Sequence, residues 1–333
     1  MDKVSEIVIK SKQIKEGIFT GLEFDISGKN INYIIVNTLR RVAMTDVPIY
    51  IFNKINFTKN TSVYHNDYLT LRIRNISVKI PNDNVFFENK KEHVEQVKSY
   101  EEKMLDENVK YAMGEDDIEM IDTNYIDETL FKEVTMYLKY HNTDNKIVHV
   151  TTNDCKFYQN GKEYKNPFDR PVIIVDLQPG QRIELSAITE LGTEKQSAIF
   201  SPVSRFAFVQ KSDEQFTVKF YSSGQLTEKR IMYVVCQNIK KQLNDFLELV
   251  PDVDDMENKI EIHDIDHTLG NLISIGMIKH KYVDYCSYNM PHYLDDKVHI
   301  KYKLNKGKLK SIIENVVKYY VEIFDKIEDH FSK

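Results

Sequence analysis

The sequence predicts an α+β fold in which one order of strands and helices occurs twice, with a β-rich segment inserted into the first copy. Alternating apolar and polar residues, typical of strands, precede a short amphipathic helix pattern near residue 30 and again near residue 268. Each copy ends in a long amphipathic pattern, at residues 227–249 and 308–331. Strand-like segments fill residues 131–209, in the first copy only. We therefore expect two related halves fused in tandem.

The first half begins with two alternating runs within residues 4–25, separated by a turn at residues 15–17, which predicts a strand pair. A helix is predicted over residues 30–44, because its apolar residues recur on one face at 3.6 residues per turn. Pro48 ends this helix. Residues 49–81 are predicted to form strands, since residues 72–80 alternate cleanly.

The composition changes at residue 82, where an insertion begins. Residues 101–128 carry eleven acidic residues against Lys103 and Lys110. The acidic segment, about residues 82–130, is either a solvated helix or loop, or a docking segment for a basic partner. Short strands follow from residue 131 to residue 209, broken by Asn-Gly at 160–161 and Pro-Gly at 179–180. Residues 82–209 are therefore predicted to be an insert subdomain.

The remaining segments complete the two halves. A long helix is predicted over residues 227–249, with Thr227 as its cap and Pro251 ending it. Residues 251–258 are predicted to be a linker. A strand at 259–263, a helix at 268–279, strands through residue 303 and a final helix then follow. The first domain is thus predicted at residues 1–81 and 210–250, and the second at residues 259–333.

Composition excludes several classes of protein. The chain of 333 residues has 45 Lys and Arg against 51 Asp and Glu, and a net charge of −6 opposes extended contact with nucleic-acid phosphates. Cys155, Cys236 and Cys286 are too sparse for a disulfide framework, which favours a reducing compartment. The amino terminus lacks the apolar core of a signal peptide, and no apolar run approaches the ~18–20 residues of a membrane span. We expect an intracellular protein.

The densest cluster of polar residues, at 261–268, supports two interpretations. His263 and His267 are four residues apart and flanked by carboxylates, so a metal-dependent hydrolase using them with Asp266 is one hypothesis. However, the strand pattern ends at His263 and the helical period starts only at Leu269, so the histidines straddle a strand-to-helix turn. In the structural interpretation, Asp266 or Thr268 caps the helix and Gly270 lets another backbone come close.

The second half resembles a known family. Its motif is similar to that of the eleventh, alpha-like subunit of eukaryotic RNA polymerase II and its archaeal counterpart. The similarity continues through residues 282–292 and 298–302 and the closing helix, about 75 residues in all. The motif consists of Asp266, His267, Thr268, Leu269, Gly270, Asn271 and Leu272.

The predicted helix of the first half carries a second motif, formed by Asn37, Thr38, Leu39, Arg40 and Arg41. This motif resembles that of the companion family, the third subunit of RNA polymerase II, which is related to the bacterial alpha amino-terminal domain. Residues 65–73 match that family only partly, and residues 177–184 and 201–203 resemble its middle subdomain. Many relatives bind zinc through cysteines in this region, but Cys155 alone cannot form such a site.

The resemblance implies a single-chain fusion of two alpha-like dimerisation modules, folded as an internal pseudo-dimer and similar to fusions in large nucleocytoplasmic DNA viruses. It implies a non-catalytic assembly platform on which Arg40 and Arg41 face the two largest polymerase subunits; two solvated arginines are the alternative. The catalytic magnesium would lie on the largest subunit, small subunits would bind as well, and DNA would be contacted only indirectly. No membrane contact is expected, and a viral protein would lie in the host cytoplasm or the virion.

Other functions remain as alternatives to the platform. These are the hydrolase described above and a structural interaction protein unrelated to transcription. The sequence holds no Gly-rich phosphate loop, Ser/His/Asp arrangement or Asp-x-Asp-x-Asp motif. We therefore expect no catalysis and no cofactor bound by this chain itself.

Overall fold

A computed structural model describes residues 4–80, 133–159, 161–168, 170–251, 255–263, 265–292 and 297–332. The acidic segment predicted at residues 82–130 lies outside the described residues, as do residues 252–254 of the predicted linker. The chain divides into two compact units. Unit 1 comprises Met1–Ile51, Arg74–Lys79 and Leu191–Lys333, and unit 2 comprises Phe52–Ile73 and Ile80–Glu190.

The described residues form fourteen strands and five α-helices. In chain order they are β1 (Val8–Glu16), β2 (Phe19–Ser27), α1 (Tyr33–Thr45), β3 (Ile49–Asn60), α2 (Asn66–Arg74), β4 (Val134–His141), β5 (Val148–Thr151), β6 (Cys155–Gln159), β7 (Lys162–Tyr164), β8 (Ile173–Leu177), β9 (Arg182–Gly192), β10 (Val203–Ser212), β11 (Gln215–Ser222), α3 (Glu228–Leu249), β12 (Glu257–His263), α4 (His267–Ile278), β13 (Val283–Asn289), β14 (Lys297–Leu304) and α5 (Leu309–Phe331). None of the described helices is long and apolar enough to cross a membrane.

Unit 1 contains the same arrangement twice, which confirms the predicted α+β class with a repeated pattern. The first repeat has a sheet in the order β1-β2-β11-β10 with helices α1 and α3. The second has a sheet in the order β12-β14-β13 with helices α4 and α5. In each repeat, one strand (β2 or β12) leads into the short helix, and two antiparallel strands follow. The second of these two strands, β11 or β14, lies in the middle of the sheet and pairs with the strand before the helix. Among the described strands, the first repeat alone has an additional edge strand, β1.

Local sequence signals set the helix ends. Asn32 caps α1, because its Oδ1 accepts from the backbone N–H groups of Ile34 and Ile35. Thr227 caps α3 as predicted, accepting from the N–H of Arg230. Helix α1 begins three residues later than predicted, since this cap lies inside the apolar period.

The four helices of the two repeats share one core. The long helices α3 and α5 pack against each other, and α1 contacts both α3 and α4. Tyr320 and Phe324 of α5 are buried in this core. At the end of α5, the ring of Phe331 packs edge-on against Phe24 of β2, with centroids 5.4 Å apart. The second repeat therefore packs directly on the first.

One predicted stretch of strands is partly wrong. Residues 49–60 form β3, but residues 66–74 form the helix α2 and not a strand. Leu69 and Ile73, four residues apart, are both buried there, so the helical spacing determines the structure of this segment. Residues 75–80 follow without a strand.

The boundaries of the β-rich region also differ from the prediction. Unit 2 holds most of the sheet β3-β9-β4-β6-β7 and the pair β5-β8. Residues 203–209, predicted as insert, belong to β10 of unit 1, because β10 pairs with β11 and β11 pairs with β2. Residues 52–73, predicted in the first domain, lie in unit 2.

Candidate interface site between the repeats

The two motifs recognised in the sequence lie on the two short helices of unit 1. Thr38 and Leu39 of α1 are buried, and the Thr38 hydroxyl donates to the carbonyl of Ile34 in its own helix. Leu269 and Leu272 of α4 are buried in the same core. The motifs therefore supply the apolar contact between the repeats.

A polar contact joins the two motifs directly. The Nε of Arg41 donates to the Oγ1 of Thr268 at 2.7 Å. Thr268 in turn donates to the Oδ2 of Asp266 at 2.9 Å. The other carboxylate oxygen of Asp266 caps α4, accepting at 3.0 Å from the N–H groups of Thr268 and Leu269. The capping residue is thus Asp266, and its charge assists the bond to the arginine.

Arg40 and Arg41 differ in their surroundings. Arg40 is half-buried, and its Nε donates to the Oδ1 of Asn37 at 3.1 Å in the same helix. Tyr33, Asn37, Arg40 and Met44 recur every three or four residues, so they form a stripe along α1 that is at least partly exposed. Arg41 contacts the second repeat, whereas Arg40 lies on this stripe. That Arg40 or Arg41 faces another subunit stays a prediction.

Gly270 is closely packed, although its neighbours are not those predicted. A Cβ at Gly270 would lie 2.9 Å from Cδ2 of Tyr288 and 3.2 Å from Cγ1 of Val298, which are side-chain atoms. The predicted approach of another backbone is wrong, because the sheet β12-β14-β13 covers α4 with side chains. Asn271 is half-buried at the next position.

Gly276 is a second closely packed glycine, and no pattern in the sequence indicates it. A Cβ there would lie 2.5 Å from Cγ1 of Val316 and 2.7 Å from Cε2 of Tyr320. Both neighbours belong to α5, so Gly276 marks the closest approach of α4 to the long helix. Its spacing of six residues from Gly270 places the two glycines on different faces of α4.

Charged side chains also link the long helices of the two repeats. Lys240 of α3 forms an ion pair with Asp325 at 2.7 Å and another with Glu328, both on α5. Burial disfavours the charged ammonium, but the hydrogen bonds to Asp325 and Glu328 outweigh it and raise the pKa of Lys240. Gln237 also donates to Glu328. These contacts were missed because charged residues on a helix usually indicate a solvated face.

The two histidines of the metal hypothesis lie on either side of the predicted strand-to-helix turn. His263 ends β12, exposed, with its Nε2 4.0 Å from Oε1 of Glu261. His267 begins α4, exposed, and its ring lies edge-on to that of Tyr288. Within the described ranges, no group of three or more His, Cys, Asp or Glu residues is placed to hold a metal ion.

The bond between Arg41 and Thr268 predicts a measurable coupling. Arg41→Met and Thr268→Val should each lower the free energy of unfolding by about 1–2 kcal/mol, since each removes a bond made by a charged donor. The double variant should lose about as much as one single variant, because both remove the same bond. Chemical denaturation of all three proteins measures the coupling. Arg40→Met is the matched control, and strictly additive losses for Arg41→Met and Thr268→Val would contradict the contact.

Comparisons with known proteins agree with this arrangement. Residues 257–330 match the model of the RNA polymerase Rpb3/Rpb11 dimerisation domain. A protein of Acanthamoeba polyphaga mimivirus named as a DNA-directed RNA polymerase subunit is 26% identical over 349 aligned residues, covering 98% of this chain and 93% of the relative.

Two cellular proteins are similar over shorter stretches. Subunit RPAC1 of RNA polymerases I and III of Saccharomyces cerevisiae is 28% identical over 216 residues, 61% of this chain and 56% of its own length. A Caenorhabditis briggsae protein named as subunit RPAC2 of the same enzymes is 31% identical over 71 residues, 21% of this chain and 45% of its own. The resemblance found in the sequence is thus confirmed: the chain is similar to alpha-like subunits of DNA-directed RNA polymerases, and its residues 257–330 match the Rpb3/Rpb11 dimerisation domain.

Proposed function

We propose that this chain is a non-catalytic assembly platform of a multisubunit DNA-directed RNA polymerase, in which two alpha-like subunits are fused. The observation that carries the proposal is the contact between Arg41 and Thr268. This bond joins the two family motifs within one chain and one core. A single polypeptide therefore supplies the pairing that otherwise requires two separate alpha-like subunits. The fusion makes this pairing independent of protein concentration.

The partners we propose are the two largest polymerase subunits, with small subunits binding as well. The stripe on α1 suits such docking, since Tyr33 is 53% exposed and Arg40 is half-buried. Aromatic and arginine side chains are enriched at protein interfaces, and the planar guanidinium suits carboxylate or carbonyl acceptors. DNA would be bound only by the assembled enzyme. The assembled enzyme would work in the cytoplasm of an infected cell or be carried in a virion.

The proposal places the catalytic magnesium on the largest subunit and assigns no metal to this chain. The purified protein should contain well under one zinc ion per chain. Elemental analysis measures this, and one zinc per chain would contradict the proposal and favour the hydrolase hypothesis instead.

Affinity purification of the tagged full chain from cells that make the polymerase tests the platform directly. We expect two polypeptides much larger than this chain to be recovered with it. Arg40→Glu should lose both, because it reverses a charge on the proposed docking stripe. Lys10→Glu on the exposed face of β1 is the matched control and should retain them. Recovery of the wild-type chain without large partners would reject the platform and favour a structural protein unrelated to transcription.

A further inference from the structure

The two repeats of unit 1 differ at one sheet edge. In the first repeat, β1 covers the outer edge of β2, from the pair Val8 and Ser27 to the pair Glu16 and Phe19. In the second repeat, the strand equivalent to β2 is β12, which pairs with β14 on one side. Among the described strands, none pairs with its other side. The connection from α3, at residues 250–256, is too short for a strand as long as β1 and its turn.

The backbone groups at this edge can be assigned. The carbonyl of Met256 accepts from the N–H of Leu304, so the backbone N–H and C=O groups of Met256 are directed toward β14. Because successive residues of an antiparallel strand point to opposite sides, Glu257, Lys259, Glu261 and His263 present their N–H and C=O groups to the open edge. The N–H of Lys259 donates to the side chain of Asn258, which is consistent with an unpaired position. Unpaired edges of this kind are templates for another strand.

We propose that the open edge of β12 pairs with β12 of a second copy of this chain, antiparallel and centred on Ile260. In this register Lys259 of one copy lies opposite Glu261 of the other, and Glu257 lies opposite His263. The two-fold axis repeats each pair, so four favourable pairs form. All four residues lie on the exposed face of the sheet, because Ile260 and Ile262 between them are buried.

The charge pattern selects this register over its neighbours. Moving the second copy by two residues in one direction places Glu257 opposite Glu261 and Lys259 opposite Lys259. Moving it by two residues in the other direction places Glu261 opposite Glu261. A shift by one residue would turn Ile260 and Ile262 to the solvent face. Only the register centred on Ile260 matches charges, buried face and backbone direction together.

The charges around Lys259 within the chain also favour the pairing. Its neighbour across the sheet within the chain is Lys301, and like charges directly opposite each other are destabilising. The carboxylates on this face are already paired within the chain, Glu257 with Lys303 at 3.0 Å and Glu261 with Lys297 at 2.9 Å. No described carboxylate lies within ion-pair distance of Lys259. A second copy supplies one in its Glu261, whose Oε2 also lies 3.3 Å from Nε2 of His299 in its own chain.

Sedimentation equilibrium of the full chain, from low to high micromolar concentration, tests this pairing. We expect a weak, reversible dimer, since one pair of strands buries less than a standard interface. Lys259→Glu should raise the dissociation constant about tenfold or more, because two opposite-charge pairs become like-charge pairs. The double variant Lys259→Glu with Glu261→Lys should restore dimerisation. Lys301→Glu, the same change on the central strand of the same face, is the matched control.

The outcomes separate self-pairing from other occupants of the edge. A loss in Lys259→Glu, recovery in the double variant and an unchanged Lys301→Glu support the proposal. A wild-type chain that stays monomeric at all concentrations overturns it. Slow hydrogen exchange at β12 in that monomer would also overturn it and would mean that another strand of the chain pairs with the edge. Exchange that becomes slow only with other polypeptides would overturn it as well and would mean that a strand of another protein binds there. Equal weakening by Lys259→Glu and Lys301→Glu would mean a general charge effect and would likewise overturn it. The proposed polymerase function does not depend on the result.

Discussion

Replacing Gly276 by leucine is expected to lower the melting temperature of unit 1 by about 4–8 °C, which corresponds to a loss of about 2 kcal/mol. A Cβ at this position already lies 2.5 Å from Val316 and 2.7 Å from Tyr320. Both neighbours are buried in the core that the repeats share, so they cannot move aside without separating α4 from α5. The better helix propensity of leucine offsets only about 1 kcal/mol of this cost.

Three further variants calibrate the effect of Gly276→Leu. Gly276→Ala should show a smaller loss in the same direction. Gly270→Leu should cost less than Gly276→Leu, because the ring of Tyr288 beside it is half-exposed and can shift. Lys279→Leu, at the exposed C-cap position directly after α4, should leave the melting temperature unchanged. Thermal unfolding followed by circular dichroism measures all of them, and a wild-type melting temperature for Gly276→Leu would contradict the close packing of α4 on α5.

The second repeat is expected not to fold when expressed alone as residues 255–333. A chain of this length buries too little surface to be more than marginally stable. Its last helix, α5, also loses its largest partner, α3, and α4 loses its contact with α1. Leu272, Ile313 and Phe324, all fully buried in the full chain, belong to the core shared with the first repeat.

The isolated fragment should therefore self-associate or give broad, uncooperative unfolding. Near-ultraviolet circular dichroism and sedimentation measure this, with the full chain as the control. A fragment that remains monomeric and unfolds cooperatively would show that the second repeat has a sufficient core of its own.

The elements were predictable where local sequence signals and burial agree. The long helix α3, its cap Thr227 and the repeated order of strands and helices follow from periodicity and turn residues, and the structure has them. The helix α2 was not predicted, because the apolar residues of this segment also satisfy an alternating pattern. Burial of Leu69 and Ile73 on one side favours the helix, and burial depends on packing that the local sequence does not specify.

The candidate site was predictable in its residues but not in its contacts. The motifs at residues 37–41 and 266–272 were identified from resemblance, and Asp266 was one of two caps considered. The bond from Arg41 to Thr268 joins residues far apart in the chain, so no local pattern indicates it. Gly276 was overlooked for the same reason, since the position of α5 is what leaves too little room for a side chain there. The edge left open at β12 becomes apparent only when the two sheets are compared.

If the two repeats form one internal pseudo-dimer, they should remain associated after the chain is cut between them. A protease site inserted between Asp254 and Asp255 can be cut in the folded protein, and the products can be separated by gel filtration under native conditions. We expect residues 1–254 and 255–333 to stay bound and elute together, held by α1, α3, α4 and α5. Clean separation into two stable monomers would contradict it and would mean that the chain is two independent domains joined by a linker.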